Sequence, residues 1–208
     1  MHLQTTSGVM TDSLKNWMAS QEFAHLVDTC TLFDSRLDES RRTLSAKVAA
    51  RCVSMARAIG LNEIETVQLE LAARVHRVGE LFLHESLRQK SFLDMSGIEM
   101  KAYRHYPLFS AFRLSDDAPV ICDVVLKHRE YCVGEGFVGE ERGATEIPLS
   151  ARILCVATEY EELIMYRGSD RQIEDSIQRR MFKNTVDRYH PKAIEALMLS
   201  IASDHVVH

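Results

Sequence analysis

Apolar residues return every three or four positions along most of the chain, the period of helices with one buried face. Leu14, Trp17, Met18, Phe23, Leu26 and Val27 form one stripe, which reads as a single helix capped at Asp12 or Ser13. Leu44, Val48, Cys52, Met55 and Ile59 form another, opening at Asp38 or Ser40 and closing at Gly60, the residue type that leaves a helix most easily. Asn62 with Glu65, and Ser96 with Glu99, have capping-box spacing. They precede the stripes Ile64, Val67, Leu71, Val75 and Ile98, Ala102, Tyr103. A short helix follows Pro107. Asp116-Asp117 reads as a helix start, and Pro119 stands near the opening of a helix carrying Ile121, Val124, Val125 and His128.

Residues 132–147 interrupt the period with Gly134, Gly136, Gly139 and Gly143, which predicts a loop. Pro148 then opens the most apolar helix, through Leu149, Ile153, Leu154, Val156 and Ala157, and two more are expected near 170–182 and from Pro191 to about Ala202. No stretch alternates with strand period. The predicted fold class is all-α. Residues 1–37 read as an N-terminal helical extension and 38–208 as the main domain. Trp17 and Phe23 in the extension need cover, from the core or from a second copy in a homodimer.

With 208 residues, the chain is long enough for one sizeable core. Its net charge of -5 speaks against a nucleic-acid surface, which needs a basic stripe. No run approaches the length of a membrane helix, and the N-terminus lacks an apolar signal core, so a cytoplasmic protein is expected. The five cysteines form no CxxC pair and read as reduced core thiols. No P-loop, nucleotide-fold fingerprint or zinc-finger spacing occurs. The charged run Glu159, Glu161, Glu162 reads as a solvated helix face, and Thr158 as a side chain bonding a carbonyl one turn back.

Three segments in order carry a family likeness: Ala73-Arg74-Val75-His76-Arg77-Val78-Gly79-Glu80, His128-Arg129-Glu130-Tyr131-Cys132-Val133-Gly134-Glu135-Gly136-Phe137-Val138, and Glu146-Ile147-Pro148-Leu149-Ser150-Ala151-Arg152-Ile153-Leu154-Cys155-Val156-Ala157. Together they resemble HD-GYP domains, a branch of the HD phosphohydrolases. The resemblance implies an HD-domain-like helical bundle in bacterial signalling. It also implies metal-assisted hydrolysis of cyclic di-GMP, with iron or manganese held by His and Asp side chains.

Aligned on those motifs, His76 and His128 match family ligands, while other ligand positions are replaced. Arg77 stands for the Asp of the HD pair, Glu80 for the Lys, and Leu44 for an upstream His. Tyr106 stands for the His before the Pro-x-x-Gly-Ala run, with His105 one residue off. Arg129 replaces the second paired His, Val133 an Asp, and Thr158 the last Asp; Phe137 and Val138 replace Tyr and Pro of the signature. Two imidazoles without a carboxylate suit hard cations poorly. A guanidinium about 5 Å from a divalent ion opposes it by several kcal/mol.

No resident metal or other cofactor is therefore expected, and no catalytic residue. The foremost expectation is a catalytically inactive regulator acting by protein contacts, with a diguanylate cyclase as the partner suggested by analogy. Alternatively, His76, Arg77, His128 and Arg129, with Gly134 and Gly136, hold cyclic di-GMP or another phosphate ligand without cleaving it. A third reading is a phosphodiesterase rearranged around His76, His105 and His128, which would need iron or manganese. A structural reading pairs Arg77 and Arg129 with Glu80, Glu130 or Glu161 instead.

Overall fold

A computed structural model describes residues 10–132, 136–137 and 147–204; Val133 and Gly134 lie outside the described residues. The helices are α1 (Asp12–Met18), α2 (Gln21–Arg36), α3 (Glu39–Ala58), α4 (Glu63–Val75), α5 (Glu85–Arg88), α6 (Gly97–Tyr103), α7 (Tyr106–Leu114), α8 (Pro119–Lys127), α9 (Leu149–Arg167), α10 (Arg171–Lys183) and α11 (Pro191–Asp204). Two 3-10 turns, Val78–Phe82 and Phe92–Asp94, complete the order. The fold is all-α, and no strand occurs among the described residues. No helix there is long and apolar enough to cross a membrane.

The boundaries follow local chemistry. Asp38 caps α3 by accepting from Arg41 N, and Asn62 caps α4 by accepting from Glu65 N. Ser96 and Glu99 complete a reciprocal capping box on α6. Gly60, with φ of 73°, ends α3 while Leu61 N reaches back to Ala56 O. The first apolar stripe is two helices, not one. Thr11 rather than Asp12 or Ser13 caps α1, and Ser20, extended at ψ 153°, accepts from Phe23 N and starts α2. A second good cap inside the stripe broke the helix. Asp116 and Asp117 lie in the turn before α8, which begins at Pro119.

Helices α3, α4, α8, α9 and α11 surround one continuous core, including Leu44, Val48, Met55, Leu71, Ile121, Leu154 and Leu197. Leu14, Phe23, Leu26, Cys30 and Phe33 of α1 and α2 join it, with Trp17 half-buried against Phe23. Cys30, Cys52 and Cys155 are buried free thiols, while Cys122 and Cys132 are half-buried and also free. A smaller cluster of Leu83, Tyr103 and Tyr106 sits beside the main core. The charged residues of α9 depart most from expectation. Glu159, Glu161 and Glu162 are all buried rather than solvated, because the α9 sides that carry them also face neighbours.

Candidate functional site

The C-terminal ends of α4 and α8 meet, and each ends in a histidine. His76 is the C-terminal cap of α4 and His128 that of α8. Both are fully buried, with ring centroids 5.2 Å apart. The backbone after His76 turns sharply under α7. Gly79 N donates to Ser110 Oγ at 2.8 Å, and Ser110 Oγ donates to His76 O at 2.8 Å. A Cβ on Gly79 would meet Tyr106 O at 2.1 Å, so only glycine fits that crossing. Gly136 serves a close approach rather than a turn: a Cβ there would meet Glu130 Cα at 2.5 Å and Arg129 O at 2.6 Å.

The two imidazoles differ in what remains open on them. His76 Nδ1 lies 2.7 Å from Ala73 O, and His128 Nδ1 lies 2.6 Å from Val125 O. A carbonyl only accepts, so Nδ1 carries the proton in each ring and Nε2 holds a lone pair. Burial, reinforced by His128 and Arg77, holds the His76 pKa well below its ordinary value. Burial and Arg129 push His128 down to about 3. Both rings are neutral at pH 7. His128 Nε2 accepts from the Tyr106 hydroxyl at 2.9 Å, whereas His76 Nε2 has no hydrogen-bond partner among the described residues.

A chain of charged groups runs from Tyr106 to the N-terminus of α3. Arg129 Nε donates to Tyr106 Oη at 2.9 Å, and its NH2 group holds both Glu162 oxygens, at 2.7 and 2.6 Å. Arg77 donates to Glu162 Oε1 at 2.5 Å and to Tyr103 Oη at 2.9 Å, and pairs with Glu80 Oε1 at 2.5 Å. Tyr103 donates in turn to Glu80 Oε1 at 2.9 Å. Arg41 Nε reaches Glu80 Oε2 at 2.5 Å, and Arg41 also pairs with Asp38.

Three guanidiniums (Arg41, Arg77, Arg129) thus face three carboxylates (Asp38, Glu80, Glu162), and the formal charges cancel. Burial alone would raise the Glu162 pKa, but Arg129 and Arg77 outweigh it and hold the carboxyl below its usual range. Burial would likewise lower Arg77 and Arg129, yet the carboxylates beside them keep both well above the ordinary value.

The HD domain family profile matches residues 26–192. The chain belongs to the HD domain family. It is 22% identical over 165 residues to the Cyclic di-GMP phosphodiesterase PdeB of Borreliella burgdorferi, covering 76% of this chain and 42% of that protein. It is 31% identical over 133 residues to the 3'3'-cGAMP-specific phosphodiesterase 1 of Vibrio cholerae, covering 60% and 30%. The chain therefore spans less than half the length of these curated relatives.

Among solved structures it is similar in fold to Bd1817, a HDG"Y"P protein from Bdellovibrio bacteriovorus. The TM-score there is 0.66 at 18% identity, over 81% of this chain and 54% of that one. It is also similar in fold to the HD domain of the L. monocytogenes phosphodiesterase PgpH in complex with Cyclic-di-AMP. That TM-score is 0.58 at 13% identity, over 81% and 92%.

Iron or manganese, which the HD-GYP likeness implies, meets an ill-suited donor set in this HD domain. His76 Nε2 is the one imidazole nitrogen of the pair with a lone pair not engaged, since Tyr106 takes that of His128. The nearby carboxylates Glu80 and Glu162 already bind guanidiniums. Among the described residues no three His, Cys, Asp or Glu side chains group as a metal site. His105, exposed and bonded to Lys101 O, takes no part, and Tyr106 is the buried residue at that turn.

The structure brings together His76, Arg77, Glu80, Tyr106, His128 and Arg129. Leu44 is packed in the core. Thr158 is buried, but its hydroxyl has no partner among the described residues, so the carbonyl bond expected for it is not made. The shared arginine partner is Glu162, not Glu161, which pairs with Arg51, while Glu159 pairs with Arg188. Sequence reasoning missed Arg41, Tyr103 and Glu162. Arg41 and Glu162 lie three and four residues from Leu44 and Thr158 on the same helices, hence on the same sides, while Tyr103 ends α6 just before the turn that leads to Tyr106.

Proposed function

We propose that this chain is a non-catalytic HD domain that regulates signalling through contacts with other proteins. The observation that carries the reading is the closure of Arg77 and Arg129 on Glu162. Oxygens that could hold a cation are spent on internal guanidiniums, and the local charge is already balanced. In metal-assisted hydrolysis the bound ion lowers the pKa of the attacking water to about 7, and the carboxylates that could hold such an ion are engaged here. A partner involved in cyclic-dinucleotide turnover, such as a diguanylate cyclase, is suggested by the family alone.

Elemental analysis combined with turnover assays on cyclic di-GMP, cyclic di-AMP and 3'3'-cGAMP, with added manganese or iron, tests the proposal. The expected result is no stoichiometric iron or manganese and no hydrolysis. Two or more such ions per chain, together with turnover, would overturn it.

One observation favours a second reading, a non-hydrolysing sensor of a phosphate ligand. A pocket of about 430 Å³ opens beside Arg77, lined also by Arg41, Arg88, Lys90 and Tyr166. Arg88 Nε is buried without a hydrogen-bond partner among the described residues, although Asp38, which also lines the pocket, feels the charge of the guanidinium. Arg129, by contrast, is held internally, so a phosphate would engage Arg88 rather than the pair Arg77 and Arg129. Titration calorimetry with cyclic di-GMP on the native chain and on Arg88→Ala tests this: no heat with the native chain ends the reading.

A further inference from the structure

Helix α7 is apolar on two sides. Its inner side, with Tyr106, Ser110, Ala111 and Leu114, is buried. Its outer side carries Leu108, 42% exposed, and Phe112, 80% exposed, with half-buried Phe109 between them. His105 stacks on Phe109, with ring centroids 6.2 Å apart. Phe82, 60% exposed at the end of the first 3-10 turn, lies 6.3 Å from Phe109 between centroids. The patch is therefore contiguous across two elements. Single exposed apolar residues are ordinary, but a joined aromatic surface marks a place of contact.

We propose that this face docks a second copy of the chain, the two α7 helices running antiparallel about a twofold axis near Phe109. The distribution of charge selects that occupant. Exposed Lys101 and Arg104 precede the stripe, while exposed Asp116 and half-buried Asp117 follow it; Asp117 pairs with Arg113 of α7 at 3.8 Å, so Asp116 supplies the excess negative charge at that end. Lys101 lies on α6 and Arg104 in the turn before α7, whereas Asp116 and Asp117 lie in the turn after it. Antiparallel pairing sets the basic end of each copy against the acidic end of the other. Parallel pairing would set like charges together. Helix dipoles favour the same arrangement.

The described side chains offer roughly 400 Å² per copy, about half of the ~800 Å² a standard interface buries on each partner. The dimer is accordingly weak and reversible, at the small end of specific interfaces. The proposal uses the outer side of α7 and stands independently of the chemistry at the buried site.

Sedimentation equilibrium on the full chain, over about 1 to 200 µM, tests it. The expected result is a reversible monomer–dimer equilibrium. Phe112→Glu should weaken it by about 100-fold, and Leu108→Gln by about tenfold. Both residues face outward, so circular dichroism should show an unchanged fold. Lys101→Glu with Arg104→Glu should weaken association about tenfold. Adding Asp116→Lys and Asp117→Lys in the same chain should restore it. A monomer throughout the range would overturn the proposal, as would a dimer indifferent to both Phe112→Glu and Leu108→Gln. Failure of the four-site reversal to restore association would overturn the antiparallel arrangement.

Discussion

Lys127 and Asp123 on α8 approach to 2.7 Å, and two residues further along Arg129 approaches Glu162 to 2.6 Å. The distances are nearly equal and the residue types alike. Asp123 is 53% exposed, whereas Glu162 is 1% exposed and shared with Arg77. In the outer pair Asp123 keeps much of its water, although the Lys127 side chain is 14% exposed, and the net gain is small. The inner group has given up its hydration entirely, so each member depends on the others remaining. The comparison shows that geometry alone does not set the worth of an ion pair. The inner network stabilises this particular arrangement less by attraction than by the penalty for leaving any one charge unmatched.

Glu162→Gln should have the largest effect of any single change to the inner network. It preserves shape but takes the bonded carboxylate from Arg129 and leaves Arg77 with Glu80 alone, and should cost about 3–5 kcal/mol in urea unfolding. A loss no larger than that of an exposed pair would show that the network is open to water.

Acid provides the next test. His76 and His128 have folded pKa values depressed below the unfolded value, so the unfolded chain binds more protons as the pH falls below about 6.5. Their contribution is complete above that pH and is lost on acidification, at up to about 1.4 kcal/mol per pH unit for each ring. Loss should continue towards about 3 for His128. Glu162, also depressed, acts in the same direction at lower pH. Stability followed by denaturant titration at a series of pH values should therefore fall between pH 7 and 5; a flat profile would mean that the rings reach solvent.

Tyr106→Phe removes the donor to His128 Nε2 and the acceptor of Arg129 Nε. A loss of about 1–3 kcal/mol is expected in the same measurement. Asp123→Asn, on the outer pair, should change stability by less than about 1 kcal/mol. If Asp123→Asn costs as much as Glu162→Gln, the distinction between the two settings fails.

Much of the inner region was legible in the chain because motif order places His76, Arg77, Tyr106, His128 and Arg129 at matching points of a known fold. Gly60, Asp38, Asn62 and Ser96 marked helix ends because capping is local. The split between α1 and α2 was missed because an apolar stripe continued across Ser20 and hid a second cap. Glu159, Glu161 and Glu162 were misread for a different reason. Charge was counted along the run, whereas α9 is nearly surrounded, and each carboxylate meets an arginine remote in sequence: Arg188, Arg51, or Arg77 and Arg129.

The amino-acid order by itself determined most of the helices, most of their ends and the residue types standing at the family's ligand positions, since these depend on neighbours within about one turn. Tertiary packing decided which charges cancel. Only when α3, α4, α7, α8 and α9 close together does Glu162 take Arg77 and Arg129, Glu80 take Arg41, and Tyr106 seal His128 while His76 stays open. Electrostatic partnership in a dry interior is set by angstroms across the fold, and spacing along one helix carries no record of those distances.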